Sequence, residues 1–168
     1  MGGMMGTLPK RGSVEATSTA TPEQVWAVLT DVTRTGEWSH ETVGAEWLGG
    51  TTATPGARFR GRNENGRSRW SRTCEVVTAE PPHRFEFRTV PTRLFPDSSQ
   101  WTFELEPIEG GTRITQRFQV LRLHPVLDRI FYACIPSHRD RTAALRADLE
   151  RLAAVAAGTV PAPRTHVR

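Results

Sequence analysis

The chain has 168 residues, room for one ordinary domain, with 37% hydrophobic and 24% charged residues, the balance of a globular protein. No apolar run approaches a membrane span, the Met1–Gly12 start lacks the pattern of a secretory signal or a myristoylation site, and two isolated cysteines, Cys74 and Cys134, make neither a disulfide framework nor a zinc knuckle. These exclusions predict a cytoplasmic protein with no stable membrane association. The net charge is +4, and of 22 basic residues only Lys10 is a lysine, so arginine carries the basicity, set against five tryptophans.

Residues 1–11 and 158–168 read as disordered tails around a single domain at 12–157. Alternation at Val14, Ala16, Ser18 and Ala20 predicts a first strand over 12–20. Thr21-Pro22-Glu23-Gln24 reads as a helix start: Thr21 caps, Pro22 suits the first turn, and Gln24 reaches back to the cap. A second short helix is expected at Val32–Glu37. Strands follow at Val43–Leu48, Ala57–Asn63, Arg69–Ala79, Arg84–Val90, Ser99–Glu106 and Thr112–Leu121, with Asn65-Gly66 as a two-residue hairpin turn. His124-Pro125 opens an amphipathic segment through Ile135, which Pro136 breaks. Ser137 then caps a long helix to about Ala157, whose apolar stripe runs through Leu145, Leu149, Leu152 and Ala156. Extended backward, the stripe brings Thr142 and His138 onto the same face. The pattern is α+β: an antiparallel sheet of about seven strands with one apolar face, covered by the C-terminal helix.

At this point the sequence resembles the SRPBCC, or START-like, superfamily, and within it the bacterial polyketide cyclase/dehydrase-like branch. The resemblance rests on Thr21-Pro22-Glu23-Gln24-Val25-Trp26 with Leu29-Thr30-Asp31, on Glu37-Trp38-Ser39, and on Pro55 to Gly61. Glu80-Pro81-Pro82 before Phe85-Glu86-Phe87, Gly110 to Thr115, and Leu145–Ala153 continue it. The resemblance implies a helix-grip fold, in which the sheet curves around the long helix and two short helices follow the first strand. It also implies a deep cavity between sheet and helix. The superfamily includes lipid carriers, aromatic polyketide cyclases, quinone-binding proteins, hormone receptors and chaperone activators, so the fold does not fix the chemistry.

Side-chain parity locates the walls of such a cavity. With Asn65-Gly66 as the turn, Gly61 pairs with Trp70 and Phe59 with Arg72. Phe59, Gly61, Asn63, Ser68, Trp70, Arg72 and Cys74 then share one face, and Arg58, Arg60, Arg62, Arg69, Ser71 and Thr73 the other. The aromatic face is taken as inward. The six arginines between Arg58 and Arg72 could suggest phosphate binding. Because no stacking aromatic shares the basic face, they read instead as a solvated outer surface, with no nucleic-acid partner. Trp38, Trp70, Phe87, Trp101, Phe103 and Phe118 join Phe59 as candidate cavity walls. Asn63, Gln116 and Thr142 are candidate polar contacts to a ligand, or plain internal hydrogen bonds. Arg72 among aromatics either anchors a ligand carboxylate or enolate or pairs an internal acid. His40, His124 and His138 are the possible acid–base groups: His138, on the helix stripe, is the best placed, and His40 is a candidate at the cavity mouth, with Glu41 near enough in sequence to orient it. The region from Asp128 to Arg141 reads as a solvated helix surface.

No phosphate loop, nucleophile elbow or metal-ligand spacing is present, so no cofactor or metal is implied. The expected activity is binding of a hydrophobic, aromatic or polycyclic small molecule, by a monomer or homodimer acting as carrier, sensor or sequestering protein. The alternatives are a polyketide cyclase, aromatase or dehydratase using His138 and Arg72, and a protein-interaction module with a filled core.

Overall fold

The computed structural model describes residues 6–159. The parts of the two expected tails at 1–5 and 160–168 lie outside them. One seven-stranded antiparallel sheet runs in the order β1-β7-β6-β5-β4-β3-β2. Its strands are β1 (Arg11–Ser18), β2 (Thr42–Leu48), β3 (Arg58–Asn65), β4 (Ser68–Glu80), β5 (Arg84–Thr89), β6 (Ser98–Ile108) and β7 (Gly111–Arg122). Between β1 and β2 come α1 (Pro22–Thr30), a 3-10 turn at Val32–Arg34, and α2 (Thr35–Trp38). After β7 come α3 (Pro125–Cys134), a 3-10 turn at Pro136–His138, and α4 (Thr142–Ala156). This is the helix-grip α+β architecture, with the curved sheet around the C-terminal helix.

Local chemistry sets the boundaries. Thr21 Oγ1 accepts from the Gln24 amide at 3.3 Å, and Gln24 Oε1 accepts from the Thr21 amide at 2.9 Å, the reciprocal capping box expected of that sequence. The long helix starts later than expected. Ser137 does not cap it; its hydroxyl accepts from Asn65 Nδ2 at 2.9 Å, and Pro136–His138 forms a separate turn before Thr142. The expected tail also differs: Leu8 is buried, its amide donates to Asp128 Oδ1 at 2.9 Å, and Lys10 pairs with the same carboxylate, so the chain before β1 is fastened to α3.

The β3–β4 hairpin corrects the expected register. Asn65 pairs with Ser68, Asn63 with Trp70, Gly61 with Arg72 and Phe59 with Cys74, a shift of two residues in the pairing. The cause is the turn. Asn65 pairs with Ser68, so Gly66-Arg67 are the central residues, and of the two only Gly66 has a positive φ, at +59°, the first-place glycine that a type II′ turn demands. A two-residue shift preserves side-chain parity. Phe59, Gly61 and Cys74 are therefore buried, while Arg58, Arg60, Arg62 and Arg69 are exposed, as expected.

The core fills part of the space between sheet and helices. Val25, Val28 and Leu29 of α1 and Leu145, Leu149 and Leu152 of α4 meet Phe85, Phe103, Leu105 and Ile114 of the sheet. The Ser18 hydroxyl donates to the Ala153 carbonyl at 2.8 Å and ties the end of β1 to α4. On the outer face, carboxylates neutralise several arginines across strands. Glu75 accepts from Arg58 at 2.8 Å and Arg88 at 2.9 Å, Glu106 accepts from Arg113 at 2.8 Å, and Glu104 pairs with Arg117.

Candidate functional site

The sheet's inner face and the helices leave a cavity of about 400 Å³ between them. Its aromatic wall comes from alternate residues of adjacent strands, because residues opposite one another share a face. Phe59 of β3 meets the Phe87 ring of β5 at 5.2 Å, and Phe87 stacks near Phe103 of β6 at 6.3 Å. Trp38, at the end of α2, stands edge-on to Phe103 at 6.1 Å. Trp70 and Trp101 complete the wall. Phe118 shares their face but does not line the cavity: its ring lies over Gly12, where an added Cβ would meet it at 2.5 Å, and packs on Trp101 at 5.5 Å.

Polar groups interrupt this wall. Trp38 and Gln116 are 6% and 5% exposed, and neither Trp38 Nε1 nor Gln116 Oε1 has a hydrogen-bond partner among the described residues. A buried donor and a buried acceptor without partners are costly, and both residues line the cavity. Asn63 is already engaged, accepting from Thr42 Oγ1 at 2.8 Å. Cys74 also lines the cavity, and burial pushes its thiol up to about 12, against a lowering by Arg72, so it stays protonated.

Arg72 points inward and is paired. Its Nη1 donates to Asp97 Oδ2 at 2.8 Å, its Nη2 to the Asp97 carbonyl at 3.0 Å, and its guanidinium lies over Phe95 at 5.3 Å. Of the two roles open to it, the internal pair is the one with a visible partner.

The charged end of the cavity is built from α2–β2, the Pro136–His138 turn and the start of α4. His138 Nε2 lies 2.9 Å from Glu41 Oε1, which also accepts from Asn65 Nδ2 at 3.4 Å. Burial pushes the Glu41 carboxyl up, but the His138 hydrogen bond and the charges of Arg141, His138 and His40 outweigh it, and the carboxyl titrates below its usual range. His40 is held by Asp148 on the buried face of α4. Its Nδ1 lies 2.6 Å from Asp148 Oδ2, and its amide donates to Asp148 Oδ1 at 2.8 Å. Thr142 is exposed and outside the cavity; helix geometry gives the position facing inward to its neighbour Arg141. His124 is exposed and only caps α3, accepting from the Val126 amide at 3.3 Å.

The His40–Asp148 pair holds its proton tightly. His40 is raised by its hydrogen bond to Asp148, against a lowering by burial, with further raising by the charges of Asp148 and Glu41. Asp148 is raised by burial, which the His40 bond offsets only in part. Raised folded-state values mean the folded protein binds protons more strongly than the unfolded chain. The His40 contribution to stability is therefore complete below its ordinary pKa, about 6.5, and is lost as pH rises through the folded value. In Asp148→Asn the main raising cause is gone while burial remains. An NMR titration of His40 is expected to move from above its ordinary pKa in the wild type to a lower value in the variant; an unchanged titration would refute the coupling.

Asp97, Arg141 and Asp148 are cavity groups that the sequence pattern does not single out, and Glu41, expected to orient His40, meets His138 instead, while Asp148 holds His40. For Asp148 and Arg141 a signal was present: they stand three after and four before Leu145, in register with the apolar stripe. Among the described residues no cluster of three or more His, Cys, Asp and Glu is placed to hold a metal, and no helix is long and apolar enough to cross a membrane.

A family model described as polyketide cyclase / dehydrase and lipid transport matches residues 10–157. No curated protein matches. Among solved structures, one from Arthrobacter aurescens superposes with a TM-score of 0.67 at 18% identity, covering 95% of this chain and 92% of its own. A protein from Chromobacterium violaceum gives 0.63 at 14% identity, covering 89% and 99%. One from Mesorhizobium loti gives 0.60 at 20%, covering 85% and 93%. These identities speak for the fold alone.

Proposed function

This chain belongs to the polyketide cyclase / dehydrase and lipid transport family, and from that premise we propose that it binds a hydrophobic, aromatic or polycyclic small molecule in the cavity between sheet and C-terminal helix. The observation that carries this reading is the aromatic wall interrupted by Trp38 Nε1 and Gln116 Oε1, which with Arg72 Nε and Asp97 Oδ1 are the buried polar atoms of the lining that have no hydrogen-bond partner among the described residues. A flat apolar ligand with one polar substituent would cover the rings and satisfy one of those atoms. The role is that of a carrier, sensor or sequestering protein. The volume left open between sheet and helix favours this over an interaction module with a filled core.

Gly61 supplies the test. It faces the cavity, and a Cβ built on it meets only Thr42 Cγ2 at 3.6 Å, an ordinary contact. Gly61→Leu is therefore expected to fold, which its urea midpoint checks, and to fill the space. The neutral probe 1-pyrenebutanol is expected to bind the wild type, with energy transfer from the cavity tryptophans, and Gly61→Leu is expected to weaken it by roughly tenfold or more. Equal binding to both proteins, or none to the wild type, would refute the cavity reading.

A second reading, a cyclase, aromatase or dehydratase, is favoured by one observation: the His138–Glu41 pair on the cavity wall, an imidazole beside a carboxylate that keeps its charge. Mass spectrometry of the ligand released on denaturation separates the two. A carrier returns the molecule it was given; a cyclase returns it altered.

A further inference from the structure

Three arginines line the cavity: Arg69, Arg72 and Arg141. Arg69 is exposed and reaches Glu64 at 3.4 Å, and both Nη atoms of Arg72 are taken up by Asp97, at 2.8 and 3.0 Å, leaving only its Nε without a partner among the described residues. The Arg141 guanidinium has no hydrogen bond or ion pair among the described residues. We propose that Arg141 anchors an acidic group of the ligand, so that the cavity takes an apolar molecule carrying a carboxylate or a comparable oxyanion. This deepens the cavity reading and rests on it.

The neighbouring acids do not fill that role. Glu41 is near enough to act on Arg141 electrostatically, but its Oε1 is engaged with His138 at 2.9 Å and Asn65 at 3.4 Å. Asp148 accepts from the His40 ring, the His40 amide and Arg151 Nη1, the last at 3.1 Å. Burial pushes Arg141 down from its ordinary value, with Glu41 pulling it back, the pattern of a half-buried guanidinium without a full counter-charge. A cation held this way gains strongly from an incoming anion, and the guanidinium fork matches a carboxylate's two oxygens. Arg141 also stands at the N-cap position of α4, a helix of 15 residues, with no side-chain capping bond, so the positive end of that dipole lies beside it. The aromatic body of the ligand then meets the Phe59–Phe87–Phe103 wall, and its acid meets Arg141.

A matched pair of probes tests this: 1-pyrenebutyrate and 1-pyrenebutanol share the ring system and differ at the headgroup. The wild type at neutral pH is expected to bind the carboxylate roughly tenfold more tightly than the alcohol. Arg141→Gln removes the preference by weakening the carboxylate by about that factor, with the alcohol unchanged within about twofold. Arg141→Lys keeps the charge and retains part of the preference. Equal affinities in the wild type, or a preference that survives in Arg141→Gln, would overturn the anchor while leaving the cavity standing. Should Arg141→Gln fail to fold, the wild-type comparison and Arg141→Lys still decide. A wild type that binds neither probe refutes the cavity reading itself, and the anchor with it.

Discussion

Phe103→Ala is expected to destabilise the protein by about 3–5 kcal/mol, read as a lowered urea midpoint with little change in slope. Phe103 is 1% exposed and sits where the filled core meets the cavity. Trp38 stands edge-on to its ring at 6.1 Å, and Phe87 lies nearly parallel at 6.3 Å. Truncation removes the buried ring area and both aromatic contacts. Relaxation cannot recover much of this. Large-to-small substitutions cost least where neighbours can close the gap, but here one side already opens on empty volume and the other is a hydrogen-bonded sheet. The enlarged cavity should also loosen the grip on 1-pyrenebutanol. Phe85→Ala, at a ring that is also 1% exposed, provides a comparison on the neighbouring strand. A Phe103→Ala cost below about 1 kcal/mol would mean that the ring belongs to an adaptable wall and not to the core.

The strand pattern and the hairpin faces were legible because period-two alternation is a local property. Phe59, Trp70 and Arg72 land inward even though the register moved, since a shift of two residues does not change parity. The turn was misplaced because Asn-Gly fits a type I′ turn, while the chain uses the freedom of Gly66 in the first central place. The charged end was not legible in the same way. Glu41 meets His138 across 97 residues, and His40 meets Asp148 across 108, distances that no periodicity encodes. Arg141 and Thr142 differ by one residue along the chain, yet one lines the cavity and the other faces out. Which of them faces in depends on where the helix begins, and that was set by the Pro136–His138 turn and not by a serine cap. Phe118 shows the limit of parity: it has the right face, but Gly12 gave its ring a place to lie.

Asp97→Ala is expected to cost about 3 kcal/mol, more than Arg72→Ala and far more than the joint replacement Arg72→Met with Asp97→Leu. The reasoning turns on which charge is stranded. The Arg72 and Asp97 side chains are 12% and 16% exposed, so both have lost most of their water. Together they offset each other through the 2.8 Å contact, and the 3.0 Å bond to the Asp97 carbonyl fixes the fork. Take away the carboxylate, and a guanidinium that cannot lose its proton stays against Phe95 and the cavity wall. Take away the arginine, and the carboxyl can become neutral by binding a proton, a cheaper escape. Replace both, and no charge is left to strand. The pair also joins the middle of β4 to the residue just before β6, so its loss frees the Pro91–Asp97 connection at the side of the cavity. Urea unfolding of the four proteins at neutral pH measures the ordering directly. If Asp97→Ala falls within about 0.5 kcal/mol of the wild type, Arg72 is solvated after all and is free to serve a ligand. In that event the assignment of the anion anchor to Arg141 would have a competitor, and the double replacement would be expected to lower 1-pyrenebutyrate affinity as well.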